Sequence, residues 1–406
     1  MKFYYRGDFS PNFHDENQPL GRTFYHSINT YQVDLIHNDK DFLQLKQQWN
    51  QLVSSSQDPN PFILWEWVYT WWEVYKSQKD KLYIIALYEG SKLISIAPFY
   101  LKNQLGYISR LSLLGEGEKH SDAAVTHYPD IIINEEYRDK IVTYISDFLK
   151  SEITLKNNSF HYASFDLLKE NSIIQQVSKQ LSSHLSVKSK QNANQFLLSF
   201  PHNTNEDDYF SHLSKSVRKQ FRLKHNRMQK LGNIHVTSEK NLEEGLRITE
   251  NLHRARWKNI DDNNVFDSVK FSRFHLKLCK RFSEQNIVDF RILHIDNIPI
   301  VAAYNFNYRN TCYSYLSGFK SEDDKRLSPM FIFDILEIKN LIRQKYNSLD
   351  LLASESENNY KTKFGSNAIP VYKTTWLKRN TFSRLIQTFF EVKAYLSITY
   401  NKYIKK

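Results

Sequence analysis

The sequence predicts an α/β fold built from two related halves. Three observations carry this. The order helix, β-hairpin, helix, strand occurs twice along the 406 residues. Two short strands, Phe165–Glu170 (FDLLKE) and Leu349–Glu355 (LDLLASE), echo each other in corresponding places. The composition, 41% hydrophobic and 24% charged, is that of a globular chain. A chain of this length suffices for two ordinary domains and is too long for one small core. Gly and Pro number only 10 each, so long flexible linkers are not expected.

In the first half a helix is expected near Asp41–Ser54, where Phe42, Leu45, Trp49 and Leu52 share one face. Pro61–Gln78 (PFILWEWVYTWWEVYKSQ) follows as a second helix. Pro61 suits a first turn, and Leu64, Val68, Trp71, Trp72 and Tyr75 line one face. Leu82–Glu89 and Lys92–Leu101, around Gly90-Ser91, read as a hairpin. A helical pattern over Tyr137–Leu149 then precedes FDLLKE. About two hundred residues later the arrangement recurs. Phe271–Gln285 reads as a helix with Phe274, Leu278 and Phe282 in line. Asp289–Ile295 and Ile298–Tyr308 pair around Asp296-Asn297, and Thr311–Phe319 is a third strand. A helix over Pro329–Gln344 leads to LDLLASE. The offset is shorter at the Asp-Leu-Leu strands than at the hairpins, so loop lengths differ. Two echoes in the same order point to internal duplication.

Between the halves, His212–Gly232 (HLSKSVRKQFRLKHNRMQKLG) reads as a strongly basic helix. Val217, Phe221, Lys224 and Met228 share a face, and Gly232 is placed as its stop. The formal charge of +11 favours anionic partners such as phosphates, nucleotides, nucleic acid or an anionic membrane; a Lys-rich soluble surface gives the same number. Cys279 and Cys312 form no C-x-x-C pair, which gives no support for a zinc site or disulfide framework and leaves a single disulfide open. Residues 1–30 read as an irregular extension without a signal peptide's apolar run. No stretch approaches the ~18 apolar residues of a membrane span, so the cytoplasm is the expected location. Thr381–Lys406 has Phe382, Leu385, Phe389, Val392, Leu396 and Tyr403 near helical spacing between basic flanks. It either lies on an anionic membrane surface, at the inner face of the membrane, or packs on its own domain.

The run from His212 to Trp376 resembles the GNAT-like acetyltransferases of the cellulose-biosynthesis CelD type (BioF2-like), relatives of the FemAB peptidyltransferases. SKSVRKQFRLKHNRMQKLG is similar to that family's basic S-K-x-x-R-x-x-x-R helix, and HRARW (His253–Trp257) to its H-x-x-R-W helix. LHIDNIPIVAAYNFNYRNTCYSYLSGF is similar to its central strands. LSPMFIFDIL (Leu327–Leu336) resembles the following helix start, and LDLLASESENNYKTKFG (Leu349–Gly365) its closing strand and Y-K-x-x-F/W-G loop. The first half matches more loosely, through PFILWEWVYTWW, the hairpin with Pro98, and GEGEKHSD (Gly115–Asp122). Individual motifs are weak, and their order over roughly Asn60–Trp376 carries the likeness. It implies tandem GNAT-like domains, 31–195 and 196–380, each a mixed, mainly antiparallel sheet flanked by helices. It also implies an acetyl-CoA or other acyl-CoA donor, no metal, and an acceptor that is a sugar or cell-envelope or exopolysaccharide precursor. Two other readings stay open: a FemAB-like enzyme drawing on aminoacyl-tRNA, and a non-catalytic binding module on the same fold. Specific nucleic-acid binding is expected only under the first of these.

The resemblance further implies that the central strands splay around the donor, whose pyrophosphate meets the N-terminus of the next helix, where free N–H groups and the helix dipole favour an anion. That start is expected at Ser328-Pro329-Met330, which makes Ser328 and Met330 donor contacts or, alternatively, Ser328 a simple N-cap. The preceding loop, KSEDDKRLSPM, lacks the family's Gly and contains Glu322, Asp323 and Asp324, a departure that bears on donor identity. Transfer to a hydroxyl or amine needs a base and donors for the oxyanion. His253 is the leading candidate base, with Trp257 one turn away to hold its ring; Asp350 and Glu355 are alternatives. Arg218 and Arg222, four apart on the basic helix, can bind phosphates or form a solvated face. Lys361 is a candidate for donor or acceptor phosphate, or for an ion pair. Tyr360, Trp257 and Asp122 are candidate acceptor contacts. No Cys or Ser stands out as an activated nucleophile, so direct transfer is expected.

Overall fold

The computed structural model describes residues 22–26, 31–104, 106, 108–155, 160–257, 264–320, 327–355, 360–379, 385 and 388. The C-terminal segment expected to form a helix lies outside them, as does the loop 321–326.

The first half begins with strands β1 (Arg22–His26) and β2 (Tyr31–Ile36), then helices α1 (Asp39–Gln44) and α2 (Lys46–Ser55). Asn38 starts α1 by accepting from the Asp41 N–H at 2.9 Å. The second helix differs from its prediction. Pro61–Ile63 is a single 3-10 turn, Leu64 is extended, and α3 runs over Trp65–Tyr75. The Asn60 side chain takes the Phe62 N–H, and Asn50 takes that of Trp65, so the chain is capped twice within four residues. The hairpin is β3 (Lys81–Glu89) and β4 (Lys92–Gln104), turning at Gly90 with φ 57°. Strand β5 (Ile108–Leu113) follows. After an excursion, the two-residue β6 (Ile132–Ile133) returns to β4, and α4 (Arg138–Leu155), β7 (Tyr162–Lys169), α5 (Ile173–Leu181) and β8 (Leu185–Ser199) complete the series.

The second half comprises α6 (Glu206–His212), α7 (Lys215–Gln229), β9 (Ile234–Glu239), α8 (Leu242–Trp257), α9 (Val269–Ser283), β10 (Val288–Ile295), β11 (Ile298–Tyr308), β12 (Thr311–Phe319), α10 (Pro329–Arg343), β13 (Ser348–Ser354) and β14 (Asn367–Lys378). The basic helix α7 stops at Gln229, three residues before Gly232. That glycine is needed for space, since a Cβ there would run into the Asp296 carboxylate.

All these strands join one mixed sheet in the order β1-β2-β3-β4-β5-β7-β14-β8-β13-β12-β11-β10-β9, with β6 on β4. Only β5–β7 and β12–β13 pair in parallel. The halves exchange their last strands: β14 lies between β7 and β8, and β8 pairs with β13. The expected boundary between 195 and 196 thus falls within β8. The two echo strands share a distortion. Both bulge against their partners, and each holds a leucine in the left-handed region, Leu167 (φ 54°) in β7 and Leu352 (φ 62°) in β13. Such a conformation costs a non-glycine residue about 1–2 kcal/mol, so its recurrence at matched places is a mark of duplication.

The largest core joins the halves. Helix α3 packs with α9, and Phe62 and Trp67 meet Phe274, Phe306 and Tyr315 edge-on or tilted. The Arg281 guanidinium of α9 donates to Thr70 Oγ1 at 2.6 Å and to Glu73 at 3.0 Å on α3. Cys279 and Cys312 are free and buried. No helix of the described residues is long and apolar enough to cross a membrane.

Candidate functional site

Strands β12 and β13 pair only through Thr311–Ser348, Cys312–Leu349 and Tyr313–Asp350. Beyond Tyr313 they part, and Ser314–Ser317 are half-buried in mid-sheet. Helix α10 starts beside the opening. Ser328 stands at its N-cap position with φ 46° and ψ 63°, yet its side chain caps no N–H of the helix. The Ser328 hydroxyl instead accepts from the Lys224 ammonium of α7. Ser328 thus occupies the N-cap position without a side-chain cap, and its hydroxyl is tied to a cation. Burial, then Arg227 and Lys363, hold the Lys224 pKa below the usual lysine range. Met330 is half-buried in the apolar cluster beneath this start. Arg218 is half-buried further back on α7, and Arg222 is exposed with its guanidinium 5.7 Å from the centre of the Phe210 ring.

Inside the opening lies a charged cluster. Lys361 donates to the carbonyls of Leu351 and Leu352 at 2.5 and 3.2 Å, which the bulge of β13 turns toward it. Burial pushes its ammonium down to about 8, against Asp350 and Asp334. Asp350 is 1% exposed and well satisfied: its carboxylate accepts from Tyr128 O–H (3.2 Å), Leu352 N–H (2.8 Å) and Gln195 N–H (2.6 Å). Asp334, on the second turn of α10, is 7% exposed, and its Oδ2 has no hydrogen-bond partner among the described residues. Burial raises it to about 8, opposed by Lys361 and Arg256. Arg256, at the end of α8, lies over the rings of Phe319 (5.0 Å) and Trp257 (5.2 Å). Tyr360 is exposed at the rim, edge-on to Phe364.

Helix α8 is clamped to β12 at Gly318, where a Cβ would lie 2.5 Å from the carbonyl carbon of Leu252 and 2.7 Å from the Cα of His253. This holds the His253 ring against Phe266 and Trp257, at centroid distances of 5.4 and 6.0 Å, with Nδ1 3.2 Å from Asn264 Oδ1. Burial drives its pKa down to about 4, so the ring is neutral at pH 7. Trp257 Nε1 and Asn264 Nδ2 are buried without a partner among the described residues.

Of the sequence-predicted residues, Lys361, Asp350 and Tyr360 come together at the opening. Ser328 and Met330 lie at the start of α10, and His253 and Trp257 on its α8 side. Glu355 is exposed just past the end of β13. Asp122 sits in a 3-10 turn whose backbone carbonyl accepts from Tyr75 O–H at 2.8 Å; the charge interactions of Asp334, Asp350, Lys361 and Arg256 do not involve it. Sequence reading missed Asp334, Tyr128 and Gln195. An acid inside the apolar run Phe331-Ile332-Phe333-Asp334-Ile335 is a signal that would have flagged the first; nothing local marks the other two.

The first half also has a parting, since β5 and β7 pair only through Arg110–Tyr162 and Leu111–Ala163. A cleft of about 400 Å³ lies there, between Ile131–Ile133, the start of α4 and the end of β7. Here Glu135 occupies the helix start, accepting from Arg138 at 2.8 Å and from the Gln57 N–H at 3.2 Å.

Residues 215–362 match the family model described as the acetyltransferase (GNAT) domain. None of the curated proteins matches the chain. Among solved structures, FemX is similar with a TM-score of 0.59 at 11% identity, over 84% of this chain and 98% of that one. L-PGS from Bacillus licheniformis gives 0.49 at 10% identity over 82% and 92%. A tandem GNAT protein from the clavulanic acid biosynthesis pathway gives 0.47 at 7% identity over 86% and 99%. At such identity the likeness to FemX is one of fold. Residues 215–362 are thus similar to the GNAT acetyltransferase domain, within a fold that most of the chain shares with FemX.

Proposed function

We propose that the chain is an acyltransferase that moves an acyl group, acetyl in the simplest case, from acyl-CoA to a hydroxyl or amine of a sugar or cell-envelope precursor in the cytoplasm. The observation that supports this best is the parting of β12 and β13 beside the start of α10. A thioester chain fits between parted strands, whose free backbone groups can hydrogen-bond it. Its pyrophosphate would meet Ser328 and Met330 at the helix start, with Lys224 beside them and Arg218 and Arg222 along the same basic helix. Lys361 would approach the donor from within the opening. Trp257 and Tyr360 are assigned to the acceptor side, and Asp122 would meet a more distant part of a long acceptor.

Transfer is direct in this reading. Burial raises both thiols, Cys279 to about 12, so neither serves as a thiolate nucleophile. Of the expected bases, Asp350 has its oxygens engaged and Glu355 stands past the strand end. His253 is neutral at pH 7, but a group that protonates near pH 4 is a weak base there. A second reading, transfer from an aminoacyl-tRNA, is favoured by the basic face of α7. Thermal-shift titration separates them: stabilisation by acetyl-CoA supports the first, and stabilisation by charged tRNA alone sinks it. The non-catalytic reading is tested by thiol release from acetyl-CoA with the wild type, His253→Ala and Arg218→Ala; no turnover with any acceptor pool favours a binding module.

A further inference from the structure

Buried polar groups are almost always paired, and a buried carboxylate without a partner is costly. Asp334, on α10, departs from this among the described residues. Two cations are in electrostatic reach, yet neither pairs with it: Lys361 is engaged by the carbonyls of Leu351 and Leu352, and Arg256 is spread over Trp257 and Phe319. A structural acid would have taken one of them. An acid whose one oxygen lacks a hydrogen-bond partner among the described residues, placed between positive groups, is arranged to receive a proton from something that enters.

We infer that Asp334 is the general base of the transfer, its Oδ2 accepting the hydrogen of the acceptor's hydroxyl or amine. This rests on the acyl-CoA reading above. As the acceptor oxygen or nitrogen bonds to the thioester carbonyl carbon, its proton passes to Asp334. When the carbon–sulfur bond breaks, the same proton passes to the departing thiolate, so the products are the acylated acceptor and free CoA thiol. Trp257 Nε1 and Asn264 Nδ2, without partners among the described residues, stand on the α8 side as donors for the acceptor's other oxygens.

The groups that face Asp334 are Lys361 and Tyr360 from the 360–364 turn, Arg256 from α8, Tyr209 from α6 and Glu337 one turn further along α10. Burial holds the carboxyl proton to about 8, so the base becomes available as pH rises and the rate should climb through that range. A base of that strength is well matched to mildly alkaline conditions, unlike His253.

The test uses the full chain with acetyl-CoA, following thiol release to water and to glucosamine as the acceptor probe. Wild type, Asp334→Asn and Asp334→Glu are compared between pH 6 and 9, with the acetyl-CoA melting shift measured in parallel. Asp334→Asn should keep the melting shift, lose at least about 100-fold in rate and lose the rise with pH. Asp334→Glu should recover part of the rate with a displaced profile. If Asp334→Asn does not fold, a wild-type profile in Asp334→Glu overturns the assignment. If wild type binds and turns over acetyl-CoA and Asp334→Asn stays within threefold of it, the base assignment falls and the acyl-CoA reading stands. If wild type neither is stabilised by acetyl-CoA nor releases thiol, both fall together.

Discussion

Replacing His275 by Phe should flatten the acid limb of the stability profile. Helix α9 buries this ring to 1% exposure, against Phe271 (4.3 Å between centroids), Phe274 (4.9 Å), Tyr315 (5.3 Å) and Tyr304 (5.5 Å). Neither ring nitrogen has a hydrogen-bond partner among the described residues. Burial alone drives the pKa from 6.5 to about 3. The unfolded chain takes up the proton near pH 6.5 and the folded chain refuses it. Stability is therefore full above that pH and is lost as pH falls toward 3. Each pH unit is worth about 1.4 kcal/mol, so by pH 5 this residue alone removes about 2 kcal/mol. Phe binds no proton, and the loss should vanish. Overpacking by the larger ring costs about 1–3 kcal/mol, but it offsets the whole profile without tilting it. The readout is the slope of unfolding free energy in urea between about pH 7.5 and 5. His253 and His127, both depressed by burial, tilt the two proteins alike. If His275→Phe loses stability over this range as steeply as wild type, the imidazole is not held neutral in the folded chain, and the reasoning fails.

Four further outcomes are expected. Gly318→Ala should force α8 off β12 by about 1 Å in an interior packed like an organic crystal, costing about 1–3 kcal/mol and more than that share of any acyl-transfer rate; a melting point within one degree of wild type would contradict the clamp. Asp350→Leu strips acceptors from Tyr128, Gln195 and Leu352, and at about 1–3 kcal/mol per orphaned donor it should lose about 3 kcal/mol or more in urea; a loss below about 1 kcal/mol would show the network to be dispensable. Lys224→Met should leave the ligand-free melting point unchanged while shrinking the acetyl-CoA shift; an unaltered shift would remove Lys224 from the donor site. Residues 196–406 produced alone should be aggregated or unfolded by size exclusion and circular dichroism, because β14 would lose β7 and most of β8 and present bare edges; a folded monomer would show the strand exchange to be unimportant.

Much of the scaffold was legible because periodicity reports burial. The tryptophan face of α3, both hairpins, α4, α9 and α10 lie close to where their apolar spacing put them. Strands β8 and β14 were not foreseen. Their stretches, LSVKSKQNANQFLLS and NAIPVYKTTWLK, mix polar and apolar residues, and their place in mid-sheet is set by partners from the opposite half. The start of α3 was misplaced because Pro61 suits any first turn, and only the side chains of Asn60 and Asn50 decide which. At the opening, Ser328, Tyr360 and Lys361 were legible from the order of motifs. Asp334 was not, because its meaning depends on Arg256 and Lys361, which come from distant segments. Nor were Tyr128 and Gln195, which acquire a role only once Asp350 is brought against both.

The duplicated scaffold also explains why one parting of strands and not the other is the candidate site. In each half a parallel pair opens after two or three residues, and a helix begins beside the gap. In the first half Glu135, just before that helix, is paired with Arg138, and Lys169 closes on Asp58 at 2.6 Å. Its charges are spent on one another. In the second half the Ser328 side chain caps no helix N–H but accepts from Lys224, and Asp334 Oδ2 has no hydrogen-bond partner among the described residues. Unpaired polar groups inside a protein are expensive, and in the proposed reading Asp334 keeps that cost in the second half because the acceptor is to pair with it.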